Sequence, residues 1–281
     1  MASMTNREAV IVTGGSRGIG AAVARLVGAK GFPVVVNYAT NESAAEMVVR
    51  DSVAAGGRAI AVQGDVLRLF ETAEREFGLL GGLVNNAGVT GGFARVEDVR
   101  ADAIARVLAV NVAGVILCSR EAVRRMSTKH GGRGGSFVNI SSLVARTGGA
   151  AEWVHYAASE GAVNSFMIGL AREVAEEGIR VNAVAPGLIE TDLHRDNGAP
   201  DRLERLAPTV PMKRPGTARS GAGGGVAAVG GGFLCDGVDI GDRRREIRDM
   251  RSDDGEPVRA AGLIVGLINV SVGCYASERC A

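Results

Sequence analysis

The chain has 281 residues, 46% of them apolar, with 32 Lys and Arg against 31 Asp and Glu; the length suits one sizeable α/β domain, and the charge balance excludes a general pull toward nucleic acid or an anionic membrane. Cys118, Cys235, Cys274 and Cys280 form no CxxC pair, MASMTNREAV has no apolar signal core, and the Leu/Ile/Val-rich run AAGLIVGLI at 260–268 is about half of the ~20 residues a membrane-spanning helix needs. A cytoplasmic protein is expected, with no membrane segment, no metal, and a small uncharged substrate or a nucleotide as its partner.

AVIVTG at 9–14 is a β-branched run ending in glycine and predicts a buried strand, and IGAAVARLVGAKG at 19–31 has helical spacing that stops at Gly31. PVVVNY at 33–38 predicts a second strand. NESAAEMVVRDSVAAGG at 41–57 carries an Asn cap and a glycine stop around a helix, and RAIAVQGD at 58–65 predicts a third strand. A helix near 67–78, a strand at 82–88, a helix across 100–127, a strand at 135–141, the helix that opens at Tyr156 and a strand at 179–186 follow. This alternation predicts an α/β, three-layer αβα fold of the doubly wound, Rossmann type: a parallel sheet covered on both faces, with ligands at the carboxyl ends of its strands.

TGGSRGIG at 13–20 lies between the first strand and the first helix. There a pyrophosphate can rest on unpaired backbone N–H groups and the helix dipole, and Gly14, Gly18 and Gly20 let the chain turn and approach the phosphates. The second strand ends in Asn37 and Tyr38, without the carboxylate that would grip the ribose 2′-hydroxyl of NAD. Arg17 can either pair with the 2′-phosphate of NADP or stand as a solvated loop cation. The first choice favours NADP(H) over NAD(H).

TGGSRGIG, Asp65-Val66, NNAG at 85–88, Asn111, NISS at 139–142, YAAS at 156–159 and PG at 186–187, in this order, resemble a short-chain dehydrogenase/reductase of the short, single-domain type, over residues 7 to about 215. The resemblance implies a nicotinamide cofactor and hydride transfer between a carbonyl and an alcohol. It implies that Gly14, Ser16, Arg17, Gly18, Ile19 and Gly20 form the cofactor loop with Asn37 beside it. Asp65 and Val66 would hold the adenine edge, and Asn86, Ala87 and Gly88 would line its ribose. Pro186, Gly187, Ile189 and Thr191 would border the carboxamide. By the same resemblance Asn111 fixes a relay water, Ser142 rather than Ser141 orients the carbonyl, and Tyr156 is the general acid/base and also touches the cofactor. Gly91, Gly92, Phe93, Gly149 and Trp153 would border a substrate pocket.

A phenol with an ordinary pKa of about 10 is about three units too basic for exchange near neutrality, roughly 4 kcal/mol, so a nearby cation has to lower it. The family pattern places lysine four residues after the tyrosine. Here that residue is Glu160, on the same helical face. An ionised carboxylate about 6 Å away, at an effective dielectric of ~20, costs the tyrosinate roughly 3 kcal/mol. Impaired carbonyl reduction is therefore expected, and the competing class is a non-catalytic nucleotide-binding or interaction protein, a decayed enzyme.

Two further departures follow. LRLFETAEREFG begins directly after Asp65-Val66, so the loop there is short and Asp65 is expected to cap the helix. From 216 to 281 the chain becomes rich in glycine and arginine (GAGGGVAAVGGG, DRRREIRDMR) with one weak strand in LIVGLINVSV, where relatives of this type place a last helix and strand. Such a composition fits a GC-rich gene read out of frame. The oxidoreductase domain is thus expected at 1–215, and an incomplete sheet edge favours a homodimer over a tetramer, packed through the 100–127 and 156–177 helices.

Overall fold

Side-chain alternation along β-branched strands divides the core into two halves. In the computed structural model, which describes residues 7–210 and 212–218 and the backbone of 233–235, β1 (Ala9–Val12) is buried at every position. Val10 and Val12 point to one face, where they meet Val23 and Val27 of α1 (Gly18–Ala29), Val34 and Val36 of β2 (Val34–Tyr38) and Val48 of α2 (Glu42–Ala54). Ile11 and Val35 point to the other, as a period of two requires.

That second face is covered by α3 (Val66–Phe77), which follows β3 (Ala59–Gln63), and by the long helix after β4 (Leu80–Asn85). The long helix has three parts: α4 (Ala101–Val107), a π turn (Leu108–Ala113) and α5 (Gly114–Met126). β5 (Gly135–Ile140), a short α6 (Val144–Thr147), α7 (Val154–Glu173) and β6 (Ile179–Ala185) complete the repeat. Phe70, Leu83, Met126, Phe137, Met167 and Leu170 form its core. Each such side chain contributes about 1.5–3 kcal/mol on leaving water.

Every pairing in the main sheet is parallel. Its order is β3-β2-β1-β4-β5-β6-β9, with β9 at Phe233–Cys235, so the winding reverses between β1 and β4 and opens a crevice at their carboxyl ends. Beyond β6 lie a two-residue parallel pair, β7 (Ile189–Glu190) with β8 (Gly216–Thr217), and the short helices α8 (Leu193–Asp196) and α9 (Arg202–Leu206). These cover the crevice.

Each strand and helix predicted up to β6 is present, with shifts only at its ends. The π turn has no sequence signal of its own. β9 (Phe233–Cys235) pairs with β6 from Ala183 to Ala185, so the sheet edge is not left bare as expected; three apolar residues after a glycine run are too few to show a strand period. The rest of the tail, including the strand expected in LIVGLINVSV, lies outside the described residues.

By length and composition the Ala101–Met126 helix, with hydropathy 1.8, is long and apolar enough to cross a membrane. It packs against β4, α3 and α7 through Val115, Cys118, Ala122 and Met126, and leaves Ile104, Leu108, Ile116 and Leu117 exposed.

Candidate active site

A cleft of about 1220 Å³ runs along the carboxyl ends of the strands. One end is the glycine loop. Its turn is enforced by positive φ at Gly14 (61°) and Gly18 (55°), a region open to glycine, and a Cβ at Gly14 would stand 2.9 Å from the Ala87 Cα. Asn86 Nδ2 donates to the carbonyls of Thr13 and Gly14, both at 3.0 Å, while Thr13 Oγ1 accepts from the amides of Asn86 and Ala87. The β4 end therefore holds the loop. Among the described residues no side chain caps α1, and the unpaired amides of a helix N-terminus suit an anion.

At the other end Asn111 sits in the π turn, a geometry frequent at functional sites. Asn111 is 2% exposed. Its Oδ1 accepts from the Val89 amide at 2.9 Å, and its Nδ2 donates to Val89 O at 2.9 Å, to Ser159 Oγ at 3.0 Å and to Glu160 Oε1 at 3.4 Å. The backbone of Val89 and two successive residues of α7 are thus tied to one side chain.

Tyr156 and Glu160 both face the cleft from α7, with Ser141, Ser142, Pro186 and Gly187 around them. Burial raises the Tyr156 pKa above its ordinary value and the Glu160 charge raises it further, against smaller opposing effects from the Ser142 hydroxyl and the Arg202 guanidinium. Burial also pushes the Glu160 carboxyl up to about 7, with Ser141 and Asn111 pulling it down. The phenol is therefore held protonated. Ser142, which acts on Tyr156, rather than Ser141, which acts on Glu160, stands at the tyrosine.

Ser16, Arg17, Ile19, Gly88, Ile189 and Thr191 join Gly14, Gly18, Asn86 and Ala87 on the cleft wall, and a Cβ on Gly18 would lie 3.5 Å from Thr191 Cγ2. Four expected cofactor residues are not on that wall. Gly20 sits behind the loop, where a Cβ would come to 2.4 Å from Asn86 Nδ2. Asn37 is spent on backbone: its Oδ1 accepts from Gly14 N at 3.5 Å and its Nδ2 donates to Val62 O and Gly64 O. Asp65 caps α3, accepting from Arg68 N at 3.0 Å, and Val66 is the first residue of that helix. The short loop gives them this role. Arg17, expected to meet a phosphate, makes an ion pair with Asp196 of α8.

Gly149 and Trp153 line the cleft, whereas Gly91, Gly92 and Phe93 do not; Phe93 stacks behind Trp153 at 4.5 Å. Trp153 meets Tyr156 edge-on at 5.7 Å, and Arg202 lies over Trp153 at 4.2 Å while pairing with Glu152 at 2.9 Å. Arg202, Glu152 and the buried His194, whose Nε2 is 3.1 Å from Ile189 O, were absent from the predicted site. Nothing in DLHRDNGAPDRLERL marks out His194 or Arg202 locally; α8 and α9 bring these two to the cleft, and Glu152 meets Arg202 there from just before α7.

The family model described as short chain dehydrogenase matches residues 8–201. The chain is 46% identical over 214 residues to the uncharacterized oxidoreductase YgfF of Escherichia coli, covering 74% of this chain and 87% of that protein. It is 36% identical over 226 residues to a 3-oxoacyl-(acyl-carrier-protein) reductase of Synechocystis, covering 77% and 86%. A short chain dehydrogenase of Burkholderia cenocepacia, solved in complex with NADP, superposes with a TM-score of 0.69 at 33% identity, over 77% of this chain and 88% of that one.

Proposed function

The chain belongs to the short-chain dehydrogenase family, and from that premise we propose that it is an NADP(H)-dependent carbonyl reductase or alcohol dehydrogenase whose turnover Glu160 holds down. The observation that carries this reading is the convergence of Asn111, Ser142 and Tyr156 with the glycine loop on one cleft. The uncapped α1 N-terminus and the Gly14 turn suit a dinucleotide pyrophosphate, with Ser16, Arg17, Gly18 and Ile19 around it and Asn86 to Gly88 beside the adenine ribose. Pro186, Gly187, Ile189 and Thr191 would hold the carboxamide end.

The chemistry such a cofactor supplies is hydride transfer at a carbonyl carbon. Ser142 positions the carbonyl oxygen, and Tyr156 donates the proton that oxygen needs. Asn111 fixes the helix turn behind them and, by the family pattern, would hold a relay water. Glu160 weakens the acid/base pair because its charge opposes the tyrosinate that donation leaves behind.

NADP is favoured because β2 ends without a carboxylate and Arg17, 61% exposed, can exchange Asp196 for a phosphate at little cost. The NADP complex of the Burkholderia relative agrees with this choice. A small carbonyl or alcohol is the proposed substrate.

A cytoplasmic homodimer is proposed, joined by the exposed Ile104, Leu108, Ile116 and Leu117 and by the small exposed stripe Ala158, Ala162, Ser165 and Gly169 of α7, which allows two backbones to approach closely. The functional test is calorimetric titration with NADPH and NADH, followed by NADPH oxidation with a panel of ketones and aldehydes. Tighter NADPH binding with slow turnover supports the proposal. Binding with no turnover on any substrate leaves the non-catalytic alternative.

A further inference from the structure

Glu160 places a carboxylate on the cleft wall with Tyr156, Pro186 and Gly187. It is 5% exposed and, among the described residues, makes no ion pair. On the reading of this cleft as a nicotinamide dinucleotide site, we propose that Glu160 makes it discriminate between the two redox states of the cofactor, holding the oxidised form more tightly than the reduced one as pH rises. The oxidised nicotinamide ring carries a positive charge and the reduced ring carries none, while the rest of the molecule is unchanged. A buried carboxylate therefore attracts one state and is indifferent to the other. A lysine at the same position would have the opposite preference.

The groups facing Glu160 leave this charge unopposed. Tyr156 on its own helix is held protonated, and the π turn and the segment after β5 contribute Asn111 and Ser141, both neutral. Arg106 of α4 and Arg202 of α9 also line the cleft, but neither shifts the Glu160 carboxyl, and Arg202 is engaged by Glu152. Burial pushes the Glu160 carboxyl up to about 7, so its charge develops across neutrality.

The test is isothermal titration calorimetry of NADP+ and of NADPH from about pH 6 to about pH 8.5, on the wild-type protein and on Glu160→Gln. The ratio of the two dissociation constants is the quantity read, because the titration of the 2′-phosphate, common to both forms, cancels in it. In the wild type the ratio should shift about tenfold toward NADP+ across this range, the size of effect that unit charges ~12 Å apart produce at a dielectric of ~20; in Glu160→Gln it should stay flat. A ratio that is flat in the wild type overturns the inference while leaving the dinucleotide site intact, and the wild-type series decides this even if the variant fails to fold. Binding of neither form to the wild type removes the dinucleotide reading and the inference with it.

Discussion

Asn111 Nδ2 stands 3.4 Å from Oε1 of Glu160, so the π turn and α7 meet at the residue whose charge adds to burial in raising the Tyr156 pKa. The amide is a neutral donor and only partly offsets the burial of the carboxyl. Glu160 is thus held near the boundary between its two states at neutral pH.

This has a consequence for stability. The Glu160 pKa is raised in the folded state from 4.5 to about 7, so the folded protein holds a proton that the unfolded chain gives up. Below about pH 4.5 the residue costs nothing, stability falls as pH rises from there to about 7, and above that the full penalty of about 3 kcal/mol remains. Denaturant melts of wild type and Glu160→Gln should diverge by this order between about pH 5 and about pH 8, with the variant the more stable at the higher pH. Parallel curves would show that Glu160 is better solvated than its position implies.

The glycine loop gives a second expectation. Gly20→Ala puts a Cβ 2.4 Å from Asn86 Nδ2 and 2.5 Å from Gly14 O, and this overlap with the loop's own support should cost about 1–3 kcal/mol. NADPH affinity should fall with it, by calorimetry on protein whose circular dichroism is unchanged. Wild-type affinity in that variant would mean that the loop does not hold the cofactor.

Away from the cleft, Glu121 is buried among three arginines: it pairs with Arg120 and Arg124 at 3.0 Å and with Arg125 at 2.7 Å, and Arg125 also reaches Glu74 at 2.9 Å. These partners hold the carboxyl below its usual range although burial alone would raise it. Glu121→Ala leaves Arg125 half-compensated and should cost about 3 kcal/mol in a denaturant melt, with cofactor binding unchanged. A loss below about 1 kcal/mol would place the cluster with ordinary surface pairs.

The proposed dimer is tested by Leu108→Lys with Leu117→Lys, two exposed apolar positions on the long helix. Light scattering coupled to gel filtration should give a dimer for the wild type and a monomer for the double variant. A monomeric wild type would remove the proposed interface.

The sheet and the glycine loop were legible in the sequence because strands and helices alternate with strong local periods and the loop chemistry is contiguous in TGGSRGIG. The proposed catalytic residues Asn111, Ser142 and Tyr156 come from three separate elements and were named through family resemblance; the fold brings them to one cleft. Other parts depend on tertiary context. Asn37 reads as a cofactor contact until the carbonyls of Val62 and Gly64 are seen to occupy its amide. Asp65 was expected to cap the helix as well as touch adenine, and its carboxylate does accept from Arg68 N. Arg202 reaches Trp153 from almost fifty residues away along the chain, a relationship no local pattern encodes.

The central claim is that this cleft is a reductase site missing its cation, and the most direct measurement is the rate of NADPH oxidation on a carbonyl panel by the wild type and by Glu160→Lys. Replacing the carboxylate by an ammonium removes the repulsion on tyrosinate and adds an attraction, so turnover should rise by roughly two orders of magnitude or more on at least one substrate. Equal rates in the two proteins, with both folded and both binding NADPH, would contradict the account.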